Sequence, residues 1–489
     1  MSIFIVVNNP EDWPLNIHGA EVIAAKTYLS DPRFSDLRGL KIFNLCRSYR
    51  YQSVGYYVSL LAEARGHKPL PNVNTIQDMK SQTMTRFVSD DLFELIQRTL
   101  APIKSEEYEL SIYFGRNFAR RYDRLSLTLF NLFPAPLLRA RFIHNRNWQL
   151  QSIGPIAGND IPDDHKPFLL QTASEYFAGK GLRRRTQQVM RYDLAILHNP
   201  AEPQPPSDAK ALKKFVKAAQ QLDFDVEMIT KNDYGRIAEF DALFIRETTG
   251  VNHHTYRFAR RATAEGLVVI DDPASILKCT NKVYLAELMS RHRIPTPNTS
   301  IVNRGSLQAV AAAIAMPCIL KQPDSAFSQG VVKVGSKAEF ITEATRMLEK
   351  SDLIIAQEFM PTAFDWRIGV FNREPLYACK YYMAHGHWQI IDHNNAGKPR
   401  EGRTEAIPID QVPRNIVSTA LKAANLIGDG LYGVDVKEID SKVFVIEIND
   451  NPNIDSGLED GIIQLDLYTR IMRGFLARIE ERKGERKPR

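Results

Sequence analysis

Gly433-Val434-Asp435-Val436, the turn-like Ile439-Asp440-Ser441-Lys442, and Val443-Phe444-Val445-Ile446-Glu447-Ile448-Asn449-Asp450-Asn451-Pro452 together decide how this chain is read. Both arms run or alternate in apolar, often β-branched residues, so the spacing predicts a β-hairpin. Glu447 and Asn449 stand two apart and project from one face of their strand, and Asp435 reaches that face from the partner strand. Two carboxylates and an amide oxygen on a rigid hairpin suit magnesium, with coordination positions left for nucleotide phosphates. As a bare pattern the three also read as the solvent-facing stripe of an amphipathic hairpin. The choice rests on what precedes them.

Upstream, Pro317-Cys318-Ile319-Leu320-Lys321 reads as a short buried strand with a lysine at its end. A loop from Gln322 through Ser328-Gln329-Gly330 follows, and Val331-Val332-Lys333-Val334 returns as strand. Such a strand, small-residue loop and strand can lay backbone N–H groups over phosphates while Lys321 supplies a point charge. Singly, the lysine reads as solvated and the loop as a turn. A helix with Lys282 near its start runs to about Arg291, Ile294-Pro295-Thr296-Pro297 breaks it, and Thr299–Val302 is a strand.

The region before Ser275 splits in two. Residues 1 to about 160 open with the strand Ile3–Val7, a helix through Gly19 to Lys26, the strand Lys41–Leu45 and a helix from Ser53 to Ala64, an order that predicts a small α/β domain. Its arginines (Arg47, Arg50, Arg116, Arg120, Arg121, Arg124, Arg139, Arg141), interleaved with tyrosines, suit either an acidic ligand or RNA, or a surface of ordinary salt bridges. Residues 165–190 read as helix, ending in Arg183-Arg184-Arg185. From about 190 to 274, strands at Tyr192–Leu197, Val226–Ile229, Ala242–Ile245 and Leu267–Ile270 alternate with helices from Ala209 to Leu222 and His253 to Ala264, a second, doubly wound unit. Arg246 and Glu247 follow a strand's C-terminal end, where open α/β sheets bind ligands, or they form an ion pair in a loop.

Composition sets the class. The chain has 489 residues, 44% hydrophobic and 25% charged, enough for about three globular domains. No apolar run of about 18 residues occurs, so no membrane helix is expected. Met1–Asn9 lacks a basic start and a cleavage site and reads as a first strand. Four scattered cysteines without CxxC spacing imply neither zinc nor a disulfide framework, and reduced thiols in a cytoplasm are the expectation. A formal charge of +6 suits anionic ligands without demanding nucleic acid.

In order and spacing, Asn281-Lys282, Lys321, Ser328-Gln329-Gly330, Gln357-Glu358-Phe359-Met360, Asp365-Trp366-Arg367 and the trio Asp435, Glu447 and Asn449 resemble the ATP-grasp ligases, and within them the RimK-type glutamate ligases. The resemblance implies a two-lobed ATP-grasp domain over 275–480, a Rossmann-like pre-ATP-grasp domain over 190–274, and an N-terminal α/β domain of a RimK-like subgroup over 1–160. It further implies ATP held by Lys282, Lys321, Ser328, Gln329, Gly330 and the backbone around Gln357, Glu358, Phe359 and Met360. Mg2+, as two ions with Mn2+ as a substitute, would lie on Asp435, Glu447 and Asn449. Arg367 and Lys380 become candidates to stabilise an acyl phosphate, and Asn451, Asn453 and Asp455 could orient the attacking amine or cap a helix beginning near Leu458. Two departures stand out: the usual glycine of the phosphate loop is replaced around Phe327, and the family's basic residue on the following hairpin appears as Lys380, with His385 and His387 beyond it. His393-Asn394-Asn395, in a polar loop, could meet substrate.

The implied partners are ATP, a carboxylate-bearing substrate and an amine-bearing one, drawn from amino acids, peptides or protein tails. Neither membrane nor nucleic acid is expected, and a homo-oligomer is the default for a closed-symmetry enzyme. Two other classes stay open: an ATP-binding regulatory or scaffold protein without ligation, and an RNA- or ribosome-associated protein acting through the N-terminal domain.

Overall fold

The computed structural model describes the chain apart from residues 1–2, 14, 16, 18, 38, 179–189, 325–329, 385–387, 393–399 and 485–489, with backbone alone for 83, 87, 90, 91, 159, 391, 392, 400 and 401. Ser328, Gln329, the Arg183–Arg185 run, His385, His387 and the segment 393–395 therefore lie outside the described residues. The fold is mixed α/β and falls into two compact units, Met1–Asp193 with Asn232–Phe240, and Leu194–Lys231 with Asp241–Arg489.

In the first unit a parallel sheet runs in the order Ala20–Ala24, Ile3–Val7, Lys41–Asn44, Lys68–Leu70. The helix expected through Gly19 to Lys26 is instead the strand Ala20–Ala24 followed by the short helix Ala25–Ser30. Pairing settles the difference: the buried strand Ile3–Val7 needs partners for its backbone groups on both edges, and the β-branched Val22 and Ile23 suit that position. An antiparallel sheet of Glu107–Tyr113, Leu137–Asn145 and Asn147–Pro155 completes the β-structure. Arg47 pairs with Asp12, Arg116 with Glu175, and Arg139 and Arg141 with Glu109, so these arginines join surface ion pairs.

The second unit begins with a four-stranded sheet ordered Val268–Ile270, Ala242–Ile245, Tyr192–Leu197, Phe224–Ile229, of which the first three strands are parallel. Asp208 caps the helix Ala209–Gln220 by accepting from the Ala211 N–H at 2.6 Å. The expected helix with Lys282 near its start is Lys282–Arg291, and a separate helix, Pro273–Thr280, precedes it. Asn281 separates the two: its backbone is extended and its side chain accepts from the Tyr284 N–H, which starts the second helix at Lys282.

Two antiparallel sheets follow. One orders Thr299–Val302, Ile354–Glu358, Cys318–Lys321 and Val331–Val334. The other orders Thr404–Ile407, Glu374–Tyr382, Phe364–Phe371, Leu431–Ile439 and Lys442–Asp450, with the helix Arg414–Ile427 closing its apolar face. The expected hairpin turns at Asp440 and Ser441, both at positive φ (50° and 62°), the pair of backbone signs that matches strand twist in a two-residue loop. No helix begins near Leu458. Asp455 and Gly457 give their N–H groups to the carboxylates of Glu459 and Asp460, which holds the segment as turns, and the last helix is Leu465–Arg482. The four cysteines are free and buried. Among the described residues no helix is long and apolar enough to cross a membrane.

Candidate active site

The hairpin carries a β-bulge where the site is built. Asp435 lies opposite Glu447, but Val436 lies opposite Val445, so Ile446 is an extra residue on its strand. The bulge switches the pleat: Val443 and Val445 point into the apolar core, whereas beyond the bulge Ile448 does so. Odd-numbered Glu447 and Asn449 are thereby delivered to the opposite, polar face. There Asn449 Nδ2 lies 3.2 Å from Asp435 Oδ2, and Arg367, opposite Asp435 on the other neighbouring strand, grips both Asp435 oxygens at 2.7 Å. Glu447 accepts from Lys282 Nζ at 2.8 Å. Burial would raise the Glu447 pKa, but Lys282 and Lys321 outweigh it and hold the carboxyl below its ordinary value. Asp435, Glu447 and Asn449 form a hard-oxygen donor set of the kind magnesium takes, already facing fixed cations, and the residues fit such an ion.

The four-stranded sheet supplies the other wall. Lys321 ends its strand with Nζ 2.7 Å from Gln357 Oε1, and burial draws its pKa down to about 8. Gln357 passes the contact to Thr299 Oγ1 at 3.0 Å, and Glu358 extends the pairing with the Thr299–Val302 strand through its N–H to the Asn298 carbonyl. Lys333 Nζ lies 3.6 Å from the centre of the Phe359 ring. A cavity of about 890 Å³ brings together Lys282, Lys321, Gln357, Glu358, Phe359 and Met360 with Arg367, Asp435, Glu447 and Asn449. Asn451, Asn453 and Asp455 line it as well. Gly330, at the end of the phosphate-loop segment, has φ 67°, a conformation natural to glycine.

Lys380 is placed elsewhere. It pairs opposite Trp366, one step out of phase with Arg367, and its ammonium lies 4.7 Å from the Phe364 ring and 4.9 Å from that of Trp366. Trp366 belongs to the core face, so strand alternation carries Lys380 away from Arg367, and Tyr381 lines the cavity in its stead.

Sequence reasoning passed over three residues and under-read a fourth. Lys437, two positions after Asp435, lines the cavity and donates to Thr362 Oγ1 and Asp365. Its signal was visible, since it shares Asp435's face by alternation. Tyr381 and Glu459 hydrogen-bond to each other beneath the cavity, a pairing only tertiary contact creates. Arg246 is fully buried, donating to Ser207 Oγ, Asn451 Oδ1 at 2.6 Å and the Pro206 and Pro452 carbonyls. Asn451 also donates to the Glu247 carbonyl at 2.7 Å. The loop after the hairpin is thus fastened to the C-terminal edge of the parallel sheet.

Residues 279–473 match the RimK-like ATP-grasp domain, and residues 25–172 the RimK-like ATPgrasp N-terminal domain. A probable alpha-L-glutamate ligase of Vibrio atlanticus is 24% identical over 255 residues, 50% of this chain and 81% of the relative. A probable alpha-L-glutamate ligase 2 of Shewanella denitrificans is 26% identical over 232 residues, 46% of this chain and 72% of the relative. The crystal structure of D-alanine–D-alanine ligase from Bacillus anthracis complexed with ATP aligns with TM-score 0.47 and 14% identity, covering 59% of this chain and 98% of that one.

Proposed function

We propose that this chain, a RimK-like ATP-grasp ligase, uses ATP and magnesium to join a substrate carboxylate to the amine of glutamate or a related amino acid, the acid being a peptide, a protein or a small acid. The observation that carries this reading is the convergence of Lys282, Lys321, Arg367, Asp435, Glu447 and Asn449 on one cavity. Lys282 and Lys321 hold phosphate oxygens, and the strand end at Gln357 to Met360 takes the nucleoside through its backbone. Bound on Asp435, Glu447 and Asn449, magnesium neutralises phosphate charge. The substrate carboxylate attacks the γ-phosphorus, ADP leaves, and Arg367 faces the charge of the acyl phosphate with a planar two-pronged donor. The amine then attacks the acyl carbon, phosphate departs, and an amide bond remains. In this reading Asn453 and Asp455 orient that amine, while Asn451, held through its amide by Arg246 and the Glu247 carbonyl, fixes their loop. No protein nucleophile takes part.

Phosphate release from ATP with magnesium, across a panel of amino acids and acidic peptides beside Glu447→Ala, tests the reading. Phosphate dependent on both substrates, a matching product mass and loss in Glu447→Ala are expected. ATP binding without turnover on any pair would replace it with a regulatory role, and no ATP binding would remove it.

A further inference from the structure

Glu247, His253 and His254 form a second polar cluster, on the loop after the strand Ala242–Ile245 and the start of the helix His254–Ala264. One donor atom from each lies within 4.8 Å of the others. Glu247 is almost fully buried, its side chain 3% exposed, yet its Oε2 has no hydrogen-bond partner among the described residues. His254 Nε2 approaches Glu247 Oε1 at 2.9 Å but is likewise without a hydrogen bond, so N–H···O bonding does not account for the approach. Leaving a buried carboxylate oxygen unpaired is costly, which asks what it faces.

The surroundings are those of a ligand shell. Thr255 gives its hydroxyl proton to the Thr248 carbonyl at 3.4 Å and lies 3.0 Å from His253 Nδ1, so Nδ1–H donates to it and the ring's lone pair sits on Nε2. The Glu247 carbonyl is anchored by Asn451 Nδ2 at 2.7 Å, and Glu202 adds a second carboxylate, accepting from the Thr248 N–H at 3.2 Å.

We propose that Glu247, His253 and His254 bind a divalent metal ion of the borderline class, zinc above all, separately from the magnesium site. Two imidazoles and one carboxylate are a zinc donor set, and three protein ligands leave a fourth position for solvent or a bound molecule in the cavity that His253 lines. The site is independent of Asp435, Glu447 and Asn449, whose all-oxygen donors favour magnesium over zinc.

Full-length protein stripped with a chelator and titrated with zinc chloride against a chromophoric competitor tests this. One equivalent is expected in the wild type. Glu247→Gln and His254→Gln, checked for folding by circular dichroism, should each weaken zinc binding by about 100-fold or more. Asp435→Asn should leave it unchanged. Cobalt substitution should give visible d–d absorption that disappears in His254→Gln. Zinc binding lost in Asp435→Asn but kept in His254→Gln would overturn the proposal, as would a wild type that retains no zinc; the Glu247–His254 contact would then be an ion pair alone.

Discussion

Arg367 and Asp435 face each other from neighbouring strands, joined by two hydrogen bonds of 2.7 Å, Nε to Oδ1 and Nη2 to Oδ2. Both side chains are largely buried, so the charges hold each other in a poorly solvated setting. Removing one partner strands the other. Arg367→Ala is expected to lower unfolding free energy by about 3–5 kcal/mol in urea titrations, and to abolish substrate-dependent phosphate release. Arg367→Lys keeps the charge but loses the fork, so its stability should fall between the two while turnover stays low. Wild-type turnover in Arg367→Ala would remove Arg367 from the chemistry.

Lys380 gives the contrasting case. Its ammonium lies against Phe364 and Trp366, on the far side of the sheet from Asp435. Lys380→Ala should therefore cost about 0.5–1 kcal/mol from the lost cation–π contacts and leave phosphate release close to wild type. A collapse of turnover comparable to that of Arg367→Ala would put Lys380 back among the acting residues.

Lys321 supplies a pH dependence. Burial lowers its folded-state pKa to about 8, whereas an unfolded lysine titrates near about 10.4. Between those values the unfolded chain binds more protons, so this group makes the protein more stable as pH rises through the window and contributes nothing to the slope below it. Phosphate affinity runs the other way, because the charge disappears over the same interval. KM for ATP, measured from about pH 7 to pH 10, should climb above about pH 8 in the wild type and stay flatter in Lys321→Arg, whose guanidinium remains charged.

Arg246 fastens the loop Asn451–Pro452 to Pro206 and Ser207. Arg246→Met fills the volume but leaves several buried acceptors unsatisfied, a loss on the order of 3 kcal/mol. KM for the amine substrate is expected to rise while ATP affinity, set by residues on other strands, changes little. An unchanged amine KM would mean the loop keeps its position without the arginine.

Sequence by itself determined the α/β class, the hairpin with its two-residue turn, and the order of the residues that meet at the cavity, because period-two alternation, turn chemistry and capping are local. Asp208 capping its helix and Glu447 sharing a face with Asn449 are of that kind. Tertiary structure decided the rest. Ala20–Ala24 is a strand because the neighbouring strand Ile3–Val7 needs a partner at that edge, a position its Val22 and Ile23 suit. The bulge at Ile446 sets which way the pleat faces, and it separates Val445 in the core from Glu447 in the site although both fit one alternating run. Lys380 and Arg367 look alike as basic residues on adjacent strands, yet strand register sends them to opposite faces. Arg246, Glu247, His253 and His254 acquire their meaning only from burial and from the Asn451 loop, more than 190 residues on, because long-range packing selects partners that no local pattern encodes.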